Sequence, residues 1–181
     1  MPDFRSAEFA TALFTAVIAL ATIWLARNTV RAATVTMQAD LLERLIARWD
    51  SAPMRSRRAV LARSLRERRK VEIGAIPGSK DKVVVEFFEE VGLCTAKKLL
   101  NKDLVWEIFF DYAILYWELC GREFADNMRT EENKTPFAYF ERMVAEMKKI
   151  YYRKTKVPKG TSIHDESDID DFLLGELNEE A

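Results

Sequence analysis

The chain has 181 residues, of which 49% are hydrophobic and 31% are charged, with 28 basic and 29 acidic side chains. This composition excludes a wholly disordered protein and a collagen-like fibre, and two cysteines are too few for a disulfide-rich scaffold. The charge is asymmetric, because residues 1–80 carry 14 basic and 7 acidic groups whereas residues 81–181 carry 14 and 22.

A membrane-spanning helix is predicted near the N-terminus. Residues 9–26 contain no charge and lie between Glu8 and Arg27. As a helix this run is roughly 27 Å long, and extension to residue 30 brings it close to the ~30 Å of a bilayer's hydrocarbon layer. We therefore expect a short outer arm over residues 1–8 and a transmembrane helix over residues 9–30.

Two other interpretations of this run stay open. A cleaved secretory signal would use Ala19-Leu20-Ala21 as its small-residue site, although the residues before the apolar run are poor in positive charge. A buried helix of a soluble domain usually has a shorter uncharged run, of about 10–14 residues.

The distribution of arginines predicts the orientation of the span. Arg5 alone precedes it, whereas Arg27, Arg31 and Arg44 follow it. Because positive residues favour the cytoplasmic side of a membrane, the N-terminus is expected outside and the rest of the chain in the cytoplasm. A reducing compartment also suits the two cysteines, which have no disulfide pattern.

Helical periodicity continues beyond the span and predicts an all-α fold, with a cytoplasmic bundle of about four to five helices over residues 31–157. The first helix is expected to continue from the span to about residue 50. Pro53 then suits the first turn of a second helix, which ends near residue 71.

Three further helices are predicted along the bundle. The third covers about residues 81–91 and ends at Gly92, a residue typical of helix C-termini. The fourth covers about residues 103–128 and is apolar on more than one face, as expected of a central helix. The fifth begins at Thr135 and Pro136, as N-cap and first helical position, and ends near residue 153.

These elements carry a resemblance to a protein family. Its members have a Trp that ends the first cytoplasmic helix, a Met-Arg-x-x-Arg-like start of the second, a Phe-Phe-Glu-x-x-Gly helix and a Trp near the end of the long helix. The matching positions here are Trp49; Met54, Arg55 and Arg58; Phe87, Phe88, Glu89 and Gly92; and Trp117. Over residues 9–150 the chain thus resembles a domain-of-unknown-function family of bacterial membrane-anchored helical proteins. The resemblance implies an architecture and a bacterial inner membrane, but no activity.

A basic run in the second helix is a candidate binding surface for lipid headgroups or other polyanions. Clusters of this kind attract anionic lipids and, with strong salt dependence, nucleic acids. A solvated helix face is the plainer interpretation, because the basic residues surround much of the helix. The candidate residues are Arg55, Arg57, Arg58, Arg63, Arg66, Arg68, Arg69 and Lys70.

The last segment, residues 158–181, is predicted to be a flexible acidic tail with a short amphipathic stretch. Such a stretch is too short to hold a helix alone and is typical of segments that fold on a partner's groove. The alternative is that it folds back onto the protein's own basic helices. Its apolar stripe, the candidate partner-docking residues, consists of Ile169, Phe172, Leu173, Leu174 and Leu177.

No catalytic residue, cofactor or metal site is predicted, because His164 is the sole histidine and no nucleotide-binding or nucleophile motif occurs. Glu107 and Asp111 share a helix face, but such pairs are usually solvated. We therefore expect a non-enzymatic, membrane-anchored interaction module that recruits a protein partner or joins a membrane complex. A binder of anionic lipid is the alternative, nucleic acid is less favoured, and small residues on the span leave homo-oligomerisation open.

Overall fold

The computed structural model describes residues 4–71 and 82–179, and the side chains of residues 13–69 and 82–179. Within these ranges the fold is all-α and contains no strand, as the periodicity predicts. The described residues form seven α-helices, with a π-helical turn at Trp117–Gly121 between the fourth and the fifth. They are α1 Phe4–Trp49, α2 Ala52–Val71, α3 Lys82–Ala96, α4 Lys102–Tyr116, α5 Arg122–Met128, α6 Ala138–Thr155 and α7 Glu166–Asn178.

The chain divides into two units, residues 1–40 and residues 41–181. From Phe4 onwards the first unit is the N-terminal part of α1, and this helix is long and apolar enough to cross a membrane. The large apolar side chains from Leu13 to Leu25 are 50–67% exposed. The hydroxyls of Thr22 and Thr29 donate to the Ile18 and Leu25 carbonyls at 2.8 and 2.9 Å. Exposed apolar side chains, together with threonine hydroxyls that are satisfied by the helix's own backbone, suit a lipid environment.

The second unit, here called the helical domain, has an aromatic core centred on Trp49. The Trp49 ring lies 4.9 Å from Phe87, 5.1 Å from Phe88 and 5.1 Å from Tyr112, measured between ring centroids. Phe88 in turn stacks on Phe140 of α6 at 5.0 Å. Burying each such ring stabilises the fold by roughly 1.5–3 kcal/mol, so the last residue of α1 holds the centre of the core.

Helix α3 packs closely on α6, and the contact corrects two boundary predictions. Gly92 lies inside α3, which continues to Ala96, instead of ending it. A Cβ at this position would stand 2.5 Å from the Tyr139 carbonyl oxygen, so glycine admits the α6 backbone there. Helix α6 begins at Ala138 and not at Thr135, after a left-handed Phe137 that makes no side-chain cap. The Glu89 carboxylate of α3 instead accepts the amide hydrogen of residue 140, the third residue of α6, at 2.7 Å. A distant residue thus satisfies a donor that local sequence would normally cap.

The long helix predicted over residues 103–128 is interrupted. Its α-helical hydrogen bonding changes to π-helical at Trp117–Gly121 before α5 resumes. A π turn inserts an extra residue and rotates the side chains that follow. Trp117 and Gly121 are buried there, with the Trp117 ring 5.0 Å from Phe140.

Candidate functional site

The most unusual chemistry of the helical domain lies between α2 and α7. Helix α7 begins with a reciprocal capping box, in which the Asp165 side chain accepts from the Asp168 amide and the Asp168 side chain accepts from the Asp165 amide, both at 2.9 Å. The 13-residue helix is too short to persist alone in water, so packing must stabilise it. Leu173 supplies that packing, since it is wholly buried in the domain core.

Aromatic contacts extend the same interface towards α4. The Phe172 ring meets Tyr112 at 6.0 Å and Tyr116 at 5.2 Å, both near perpendicular. Edge-to-face pairs of this kind each contribute about 0.5–1.5 kcal/mol beyond their buried area.

A buried ion pair lies at the centre of the α2–α7 contact. The Arg58 and Glu176 side chains are 1% and 2% exposed, and Arg58 Nε lies 3.4 Å from Glu176 Oε2. A second carboxylate, that of Glu179, accepts from Arg58 Nη2. The guanidinium also lies over the Trp49 ring, 4.4 Å from its centroid. We call these four side chains, Trp49, Arg58, Glu176 and Glu179, the α7 clasp.

Two more arginines of α2 pair with acids, one with acids of α7 and the other with an acid of α5. Arg69 donates to Asp170 at 3.0 Å and also binds Glu166, so the N-terminal half of α7 is held as well. Arg68 donates to Glu123 of α5 at 2.9 Å. Exposed pairs of this kind contribute little individually, which leaves the buried pair as the dominant polar contact.

The buried environment of the clasp raises the pKa of the Glu176 carboxyl group. Burial raises the pKa of Glu176 to about 7; the Arg58 charge opposes that rise and the Glu179 charge adds to it. Burial also raises the pKa of Tyr116 well above its usual range.

The pKa of Glu176 makes domain stability depend on pH. A folded-state pKa above the unfolded value of about 4.5 means that the contribution of Glu176 is complete below pH 4.5 and is lost as the pH rises through 7. The change amounts to roughly 3 kcal/mol over that range. Urea unfolding between pH 4 and 8 measures the slope of the unfolding free energy against pH. We expect Glu176→Gln to remove the part of this slope that Glu176 causes.

The exposed Asp171 of α7 provides the control for that titration. Asp171→Asn removes a carboxyl group from the same helix and is expected to leave the slope unchanged. An equal slope in wild type and Glu176→Gln would show that Glu176 does not titrate in this range.

The predicted basic run is divided by the fold. Arg58 is buried in the clasp, and Arg68 and Arg69 pair with acids of the same domain. The chain's own carboxylates bind these three side chains, which leaves them less available to lipid headgroups. Exposed side chains of the run are Arg55, Arg57 and Arg63, Arg66 is half-buried, and the side chain of Lys70 lies outside the described residues.

The predicted tail residues lie on the protein's own core. Whereas the amphipathic pattern left open an external groove or self-docking, the structure has the self-docked arrangement and a packed helix in place of a flexible tail. Leu173 is buried, Ile169, Phe172 and Leu177 pack against the core, and Leu174 is 38% exposed. The spacing of the apolar residues predicts the stripe. The pairing of Arg58 with Glu176 does not follow from any local pattern, since the two residues are 118 positions apart in the sequence.

The remaining titratable candidates lie apart from the clasp. His164, just before α7, contacts Asp111 of α4 at 3.2 Å. No group of three or more potential metal ligands occurs among the residues that the structure describes. Comparisons with protein-family models, curated proteins and solved structures found no match.

Proposed function

We propose that the protein is a single-pass, membrane-anchored interaction module, whose helical domain recruits a protein partner at the cytoplasmic face of a bacterial inner membrane. The observation that carries the proposal is the exposed apolar surface of α1. Its side chains from Leu13 to Leu25 are half-exposed or more. An apolar surface of that length is costly in water and favourable in lipid.

The helical domain supports the second half of the proposal. Its own acidic helix is docked by the clasp, so the domain has a closed core. Surface leucines nevertheless remain on it, including Leu93, Leu99 and Leu104 at 36%, 40% and 42% exposure. Recruitment through the domain surface is therefore favoured over recruitment through the docked tail. Binding of anionic lipid by the basic run is less favoured, because three of its arginines pair internally.

Membrane fractionation of the full chain tests the anchor. We expect the protein to stay in the membrane pellet after a carbonate wash, with an intact mass of 20.9 kDa. Ile18→Arg with Leu20→Arg is expected to release it, since each arginine at a span centre costs about 2.5–3.5 kcal/mol. The matched control is Val35→Arg with Met37→Arg, two exposed apolar residues beyond the predicted span, which is expected to stay in the pellet.

Protease digestion tests the orientation in the same preparations. The helical domain is expected to be digested in inverted vesicles and protected in spheroplasts. A wild-type protein in the supernatant, or one that has lost its first two dozen residues, would overturn the anchor. Protection in inverted vesicles would overturn the orientation.

A further inference from the structure

An apolar groove lies on the helical domain, away from the clasp. It has a volume of about 350 Å³ and is formed by α3, α4 and α6. Val105, Met143, Met147 and Ile150 form its floor, each at most 5% exposed. Methionine side chains adapt to differently shaped apolar groups, so this floor suits a variable apolar ligand.

One end of the groove is held by the close contact of α3 and α6. Gly92 and Tyr139 line it there, where the two backbones touch. Glu89 accepts both the Tyr139 amide at 3.3 Å and the next one along α6 at 2.7 Å. The groove is therefore pre-formed, and a ligand does not have to separate the two helices to enter it.

The rim of the groove is predominantly basic. Lys98, Lys102 and Arg142 line it beside a single acid, Glu146. Across the described ranges, the side chains of Lys102 and Arg142 form no hydrogen bond or ion pair. Glu146 is neutralised by Lys149, which donates to it at 2.6 Å and, with Lys102, lowers its pKa. Two cations at the rim are thus available to an acidic ligand.

Exposed leucines come from the same stretch of chain as the rim. Leu93 of α3, Leu99 of the connection and Leu104 of α4 are 36–42% exposed and lie within two residues, along the chain, of groove residues. An apolar groove with further exposed leucines in the segments that form it is typical of helix-in-groove recognition.

We propose that this groove binds an acidic amphipathic helix of a partner protein. The inference rests on the proposed function and names the site and the class of partner. Apolar residues of such a helix fill the floor, and its acids meet Lys102 and Arg142 across the rim. The domain already binds a helix of this chemistry in α7, whose acids meet arginines of α2 while Leu173 enters the core.

Peptide titration of the full chain in zwitterionic nanodiscs tests the proposal. Two synthetic helices of equal length share one leucine stripe, with glutamates on the polar face of one and lysines on that of the other. Methyl-labelled methionines report binding: Met143 and Met147 lie in the groove, and Met54 of α2 lies outside it. We expect the acidic helix to shift both groove methionines and to leave Met54 unchanged.

Charge-reversed variants supply the specificity test. Lys102→Glu with Arg142→Glu is expected to weaken binding of the acidic helix by about tenfold or more. Arg55→Glu with Arg57→Glu makes the same change of charge on two exposed arginines of α2 and is expected to leave the affinity unchanged.

Three results would overturn the groove assignment: equal binding of both helices, no shift of the groove methionines, or saturation of the groove by dodecanoate but by neither helix. Each leaves the fractionation result unaffected, so a failed groove is distinguishable from a failed anchor. Loss of the protein from the membrane would instead overturn the proposed function, and the same peptide titration of the full chain without nanodiscs would still report on the groove.

Discussion

Replacing Arg58 with methionine is expected to destabilise the helical domain by about 3–5 kcal/mol. At a pH well above the pKa of Glu176, the substitution leaves this carboxylate, which is 3% exposed, without its counter-charge, and it also removes the cation from the Trp49 ring. A buried charge that has lost its partner is more costly than the pair was favourable. The free energy of unfolding of the full chain in urea, followed by tryptophan fluorescence, measures the effect.

Two variants control that result. Arg55→Met changes an exposed arginine of the same helix and is expected to alter stability by less than about 0.5 kcal/mol. Arg58→Met with Glu176→Leu replaces both charges by apolar groups, and is expected to recover much of the loss because no charge is left buried. If Arg58→Met is no less stable than Arg55→Met, the clasp does not hold α7.

Replacing Gly92 with alanine is expected to lower the free energy of unfolding by about 1–3 kcal/mol. The new Cβ would stand 2.5 Å from the Tyr139 carbonyl oxygen and 3.0 Å from the Phe140 amide nitrogen. Both atoms are backbone, so α3 and α6 must separate to admit it. Thermal or urea unfolding measures the loss, and the same separation is expected to alter the groove methionines' signals.

The same substitution at Gly175 in α7 is expected to change the stability in the opposite direction. A Cβ there meets no atom within 4 Å, and the residue lies inside a helix. Gly175→Ala is therefore expected to stabilise the protein by about 0.5–1 kcal/mol, through the lower entropy of the unfolded chain. Equal effects at both glycines would contradict the close approach of α3 and α6.

Much of the fold is predictable because it depends on local sequence patterns. The all-α class, the long apolar helix and the positions of α2 and α3 follow from periodicity and from helix-breaking residues. Pro53 lies in the first turn of α2, which begins at Ala52, as its fixed φ predicts. These features depend on residues close together in sequence, so no tertiary information is needed.

The predictions fail where a residue distant in sequence makes the contact that a neighbouring residue was expected to make. The start of α6 uses Glu89 instead of Thr135, because the carboxylate of α3 reaches the free amides. Gly92 resembles a helix C-terminus in sequence, although its role is to admit the α6 backbone. The clasp joins Arg58 to Glu176, and no spacing rule selects one arginine of the basic run as the buried one.

Hydrogen exchange of α7 in the full chain, reconstituted in nanodiscs, measures whether the clasp holds this helix on the domain. The amides of residues 169–178 are expected to be protected in wild type, because the clasp stabilises a helix too short to persist alone. Arg58→Met is expected to lose this protection while α3 keeps its own. Wild-type α7 amides that exchange as fast as those of an unstructured peptide would show that α7 is not docked.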